Sequence, residues 1–191
     1  MCRHDASRGK NPTVDFNLDR DIVILARTPR VLRSLLDGLP DAWTRANYGP
    51  GTWSPHEVVA HLIFGERTDW LPRARRILEF GESVPFDPFD RNGHADLARR
   101  HTTAELLDLF EEERRAGLNA LQALPLTPEN LARRGRHPAL GPATLAQLLC
   151  TWVVHDLNHI AQVCKGLAYQ HRVEVGPWEA YLSILAPPNP R

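Results

Sequence analysis

Nine histidines are spread along the 191-residue chain, and two of them stand four positions apart in His155-Asp156-Leu157-Asn158-His159. On an α-helix that step turns the side chain by about 40° and advances it by about 6 Å, so both imidazoles share a face. This is chelating geometry for a divalent metal. Such pairs also arise on solvated faces, but these two share their stripe with Leu148 and Trp152. A third histidine, His61, lies in another apolar run between Val58 and Leu62, and Gly65, one turn on, leaves space beside it. Buried histidines need polar partners, and a shared ion supplies one. Three neutral imidazoles leave a metal its full charge and an open coordination position, as in a catalytic site. An ion held this way can lower the pKa of a bound thiol or of water. Asp156, Gln162, Glu66 and Asn158 are candidates for orienting the rings through hydrogen bonds. Trp152, one turn before His155, is a candidate wall of the site; the other four tryptophans read as core filler.

Other constellations fail on geometry. His56-Glu57 and His61 resemble a metalloprotease motif with one residue too many, and a five-residue step separates the two imidazoles by about 140°. The segment from His155 to His159 has zincin histidine spacing, but aspartate replaces the glutamate and an all-helical chain offers no strand edge to a peptide. Neither a P-loop nor a Gly-x-Ser-x-Gly elbow is present, and Gly49-Pro50-Gly51 follows no strand. Arg133, Arg134 and Arg136 crowd the stretch before the last long helix. They read as a solvated loop, with a clamp for a carboxylate-bearing cosubstrate as the weaker alternative. The segment from Phe86 to Arg91 reads as a lid or a packed turn. His4, His94, His101 and His171 lie outside any helical stripe and receive no role.

Four long amphipathic segments must position the histidines. Leu18, Ile22, Leu25, Leu32 and Leu36 recur at helical spacing, with Pro29 predicting a kink. A second helix opens on the capping box Ser54-Pro55-His56-Glu57 and runs to Phe80-Gly81, bent at Pro72. Thr102 and Glu105 cap a third, which carries Leu106, Phe110, Gly117 and Leu121 on its stripe. Thr144 and Gln147 cap a fourth, which reaches Tyr169. A short helix is expected from Trp178 to Leu185. No stretch alternates as a strand does, so the fold class is all-α: a four-helix bundle. Its connections, of about 14, 22 and 18 residues, exceed the usual 2–8, and loops of that length can roof a site.

Lys+Arg and Asp+Glu both number 23, giving zero net charge, and this counts against a nucleic-acid surface. The longest apolar runs, Ile22 to Ala26 and Val58 to Phe64, fall far short of the roughly 20 residues that cross a bilayer. The first residues contain no apolar signal region. Cys2, Cys150 and Cys164 have no redox or zinc-knuckle spacing; Cys150 and Cys164 on one helix would be roughly 21 Å apart. A reduced, cytoplasmic protein is expected. Residues 1–15 are expected to form a loose tail, 16–185 the bundle and 186–191 a second tail.

Trp53-Ser54-Pro55 opening a helix, His61-Leu62 two turns in, and His155 to Gln162 on the last long helix resemble the DinB-like superfamily of metal-binding bundles, over roughly residues 16 to 185. The resemblance implies a variant up-and-down bundle, often dimeric, holding nickel or zinc on His61, His155 and His159. Gln162 matches the glutamine that often follows the second paired histidine. Members include bacillithiol S-transferases and mycothiol-dependent maleylpyruvate isomerases. It therefore implies a homodimeric, metal-dependent thiol S-transferase using a low-molecular-weight thiol cosubstrate and a small-molecule substrate. A hydrolase using activated water, or a non-catalytic bundle with a structural metal, are the alternatives. The long segment from Gly81 to His101 and the extension past Tyr169 depart from compact members.

Overall fold

The computed structural model describes residues 17–186. Four long helical stretches form the bundle: α1 (Leu18–Leu36), the pair α3 (Pro55–Thr68) and α4 (Trp70–Phe80), α6 (Thr103–Gln122) and α8 (Leu145–Tyr169). Short helices α2 (Asp41–Thr44), α5 (Ala95–Arg100) and α7 (Pro128–Ala132) lie in the connections. All three expected capping boxes are present, with Ser54, Thr102 and Thr144 each accepting from the N3 amide. Asn17 caps α1.

α1 packs mainly on α6 and α8, and α3 on the same two helices. The order around the bundle is therefore α1, α6, α3, α8: α1 sits across a diagonal from α3 and α6 from α8, while α3 and α6 are neighbours. The core has two apolar clusters. Leu25, Trp70, Leu121, Leu149 and Trp152 belong to one; Leu32, Leu62, Phe110 and Val163 belong to the other. α1 and α8 run from the first cluster towards the second, and α3 and α6 run back. Two consecutive long stretches, α3–α4 and α6, thus point the same way, and the chain between them must return along the whole bundle. Residues 81–101 do this: Phe86 packs in the first cluster and Ala98 in the second. That return accounts for the length of the connection.

Three expectations about elements are corrected. The second helix does not merely bend at Pro72; it breaks at Asp69 (φ −112°, ψ −71°) into α3 and α4. Pro72 has no N–H for the Thr68 carbonyl, and the break puts it in a first turn, where none is needed. The stretch before α8 is not all loop. Strands β1 (Arg134–His137) and β2 (Gly141–Thr144) pair antiparallel, Arg134 opposite Thr144 and His137 opposite Gly141. Gly135 is what lets this hairpin dock, since a Cβ there would lie 2.6 Å from Ile77 and 2.7 Å from Phe86. The C-terminal segment forms two 3₁₀ turns, Gly176–Tyr181 and Ser183–Leu185, instead of one helix. Of these residues only Leu185 is buried, so no apolar face supports a regular helix. The expected tail over 1–15, and all of 186–191 except Ala186, lie outside the described residues.

α1 stays one helix through Pro29. Proline supplies no N–H to the carbonyl four residues back, and Leu25 O is instead bonded by Arg114 Nη1 of α6 at 2.8 Å.

Candidate metal centre

His61 comes from the middle of α3 and His155 and His159 from successive turns of α8, and the groove between these helices brings the three rings together. His155 Nε2 lies 3.2 Å from His61 Nε2 and 3.1 Å from His159 Nε2. Among the described residues these three form the one group of histidine, cysteine or carboxylate side chains with metal-holding geometry. Nitrogens bound to one ion at 2.0–2.1 Å stand about 2.9–3.4 Å apart for bond angles from square to tetrahedral, so the cluster fits a single ion. His159 Nδ1 lies 2.9 Å from Gln162 Oε1. The amide oxygen can only accept, so Nδ1 carries the proton and Nε2 presents its lone pair to the cluster.

Burial lowers the pKa of His61 to about 3 and of His155 to about 2, and the facing His159 adds to both shifts. Both rings are neutral at ordinary pH, the form that binds a metal. The Nδ1 atoms of His61 and His155 are buried without a protein hydrogen bond.

Aromatic side chains wall the cluster. Trp53 lies tilted against His61 at 4.5 Å between centroids and stacks towards His159 at 6.2 Å. Trp70 sets its edge on His155 at 5.0 Å. From the returning segment, Phe89 meets His61 edge-on at 5.5 Å, and the ring of His94 lies 5.8 Å from that of His61. Phe86 is a packed residue of the first cluster, whereas Phe89 belongs to the site. His94 lies outside any helical stripe, yet it is buried, and desolvation lowers its pKa. Nothing periodic marks His94 or Phe89; Trp53 carried a signal, since it directly precedes the N-cap, where an apolar residue staples the helix entry.

The other sequence candidates lie elsewhere. Trp152 is fully buried behind Trp70, with the rings stacked at 5.6 Å, and its Nε1 donates to Glu66 Oε1 at 3.1 Å. The space beside Gly65 is taken by Trp70, whose Nε1 would lie 3.4 Å from an added Cβ. Glu66 and Asp156 do not orient the histidine rings; both bond Arg114. Burial raises the Glu66 pKa, and Arg114 opposes the rise. Asn158 is exposed. Arg134 pairs with Glu82 at 3.1 Å, and the Arg136 carbonyl accepts from the Phe86 amide at 2.9 Å, so these arginines serve the docking of the hairpin; Arg133 bonds the Leu145 amide through its carbonyl.

Residues 24–163 match the sequence profile of the DinB superfamily. A protein of Oceanobacillus iheyensis named "Putative metal-dependent hydrolase OB0782" is 23% identical over 141 residues, covering 72% of this chain and 80% of that one. The solved structure of YfiT from Bacillus subtilis, described as a probable metal-dependent hydrolase with an unusual four-helix bundle topology, superposes with a TM-score of 0.70 at 22% identity. That match covers 86% of this chain and 93% of YfiT.

Proposed function

The chain belongs to the DinB superfamily, and from that premise we propose that it is a divalent-metal-dependent hydrolase whose ligands are His61, His155 and His159. The observation that carries this reading is the convergence of three imidazoles, with His155 Nε2 3.1–3.2 Å from the Nε2 atoms of the other two. An ion held by three neutral imidazoles supplies Lewis acidity that lowers the pKa of a water or thiol reaching it. The chain's own contribution is positional. Gln162 sets the His159 tautomer, while Trp53, Trp70 and Phe89 hold the rings and limit access of bulk water. The hydrolase descriptions of the two similar proteins support water as the nucleophile. The thiol-transfer reading rests on the family resemblance alone. Within this proposal the ion is nickel or zinc, the substrate is a small molecule, and the protein is a cytoplasmic homodimer. Exposed Val154 and Leu157 on α8 support a second copy. No helix among the described residues is long and apolar enough to cross a membrane.

Elemental mass spectrometry on untagged protein tests the reading, beside His61→Ala and His155→Ala. About one divalent ion per chain, lost in both variants, is expected. Turnover of activated esters or amides without thiol then supports hydrolysis, and turnover only with an added thiol replaces it with transfer. Absence of metal after incubation with nickel and zinc refutes both.

A further inference from the structure

The two apolar clusters are separated by a polar layer to which all four long helices contribute. On α1 Thr28 lies between Leu25 and Leu32; on α6 Arg114 lies between Phe110 and Leu118; on α3 Glu66 follows Ile63; on α8 Asp156 lies between Val153 and Val163. Arg114, at 1% exposure, is its centre. Nη2 donates to Glu66 Oε1 at 2.8 Å and to Asp156 Oδ1 at 3.0 Å, and Nη1 donates to Asp156 Oδ2 and to the Leu25 carbonyl. Thr28 Oγ1 donates to Asp156 Oδ2 at 2.6 Å. The guanidinium carbon lies over the rings of Phe110 and Trp152, 5.0 and 5.2 Å from their centroids.

The placement of the two carboxylates matters. Glu66 is on α3, five residues after His61, and Asp156 is on α8, next to His155. One planar fork from a third helix thus bonds both helices that carry the histidines, within about a turn and a half of the rings. We propose that Arg114 is a positioning residue of the metal centre: by bonding Glu66 and Asp156 together it fixes the spacing of α3 and α8 and the rotation of α8, and so the convergence of His61 with His155 and His159. Pro29 takes part by leaving the Leu25 carbonyl without its helical donor, which gives the guanidinium a further anchor. Lysine could not replace arginine here, because one ammonium cannot span two carboxylates and a carbonyl in this fork geometry. A purely structural ion pair would need no such link between the ligand-bearing helices.

This inference rests on the three-histidine reading, and the experiment separates the two. Co²⁺ is titrated into metal-free wild type, His155→Ala, Arg114→Lys and Thr28→Val, following the visible absorption of the bound ion; circular dichroism establishes that each is folded. Arg114→Lys is expected to weaken Co²⁺ binding by about tenfold or more, the usual scale for groups that orient ligands, and to change the band shape. Thr28→Val, nearly isosteric and missing only the hydroxyl bond to Asp156, is expected to weaken it by a smaller factor and to remain folded. A folded Arg114→Lys with wild-type affinity and spectrum overturns the inference. Should Arg114→Lys not fold, Thr28→Val decides, and unchanged affinity and spectrum there overturn it. Failure of folded wild type to bind Co²⁺ refutes the metal-centre reading itself, and this inference with it.

Discussion

Gln162 shows how much of a metal site can depend on a residue that need not touch the ion. Its Oε1, 2.9 Å from His159 Nδ1, selects the tautomer that leaves Nε2 free to coordinate. Gln162→Leu is therefore expected to lower metal affinity about tenfold without loss of fold, measured by competition with a chelating dye; unchanged affinity would mean that the tautomer is set by the other rings. The histidines and Gln162 were legible because helical spacing fixes which side chains share a face, and steps of three and four residues bring His155, His159 and Gln162 onto one side. Glu66 and Asp156 illustrate the limit. Spacing puts a carboxylate near an imidazole, but only the packed bundle shows that Arg114 from another helix holds both. Arg114 did leave a trace, as a cation in the apolar stripe between Phe110 and Leu118, although its partners on three helices could not be read from that trace. Phe89 shows only as part of the segment that reads as a lid or a packed turn, and His94 leaves no trace, because no periodicity marks either.

At the scale of elements, a buried histidine outside the metal centre ties three helices together. His56, at the start of α3, has Nε2 2.7 Å from the Ala98 carbonyl and Nδ1 3.0 Å from Thr103 Oγ1, which in turn lies 3.2 Å from Thr44 Oγ1. A carbonyl can only accept, so His56 Nε2 carries a proton and donates it to Ala98. Burial lowers the His56 pKa from 6.5, and the Ala98 bond offsets part of the shift. Because the folded pKa is the lower one, the unfolded chain binds more protons below pH 6.5, so this contribution is present above that pH and is lost as pH falls towards the folded value. Metal-free protein is expected to lose stability from pH 7 to 5, and His56→Gln, less stable at pH 7, to lose less over the same interval. Urea midpoints measure both; equal pH slopes would show that His56 is not the titrating group. The helices and their caps were legible because capping boxes are local. The β1–β2 hairpin was not: Arg134-Gly135-Arg136-His137 has no alternating apolar face, and the docking of Gly135 on Ile77 and Phe86 is a tertiary fact.

For the whole molecule, periodicity gave each helix a buried face without saying which neighbour meets it, so the diagonal order and the parallel α3 and α6 emerged only in three dimensions. The long connections were the one trace of that topology. Its consequence is that the three-histidine cluster bridges α3 and α8, which are far apart in sequence and antiparallel in the groove. An ion bound there links two parts of the bundle that separate on unfolding, and it should stabilise the fold as any ligand of the native state does. At free metal about 100 times Kd the gain is about 2.7 kcal/mol. Each kcal/mol raises Tm by about 2–4 °C in a domain of this size, so a rise of about 5–11 °C is expected by calorimetry, less whatever affinity the unfolded histidines retain. The rise should vanish in His61→Ala, which removes the α3 side of the bridge but leaves the α8 pair that could hold an ion alone. Metal bound by the wild type with no rise in Tm would place the ion on groups equally available to the unfolded chain, and the bridge between α3 and α8 would be refuted. A rise that persisted in His61→Ala would restrict the site to α8 and remove the reason for His61 to be buried opposite it.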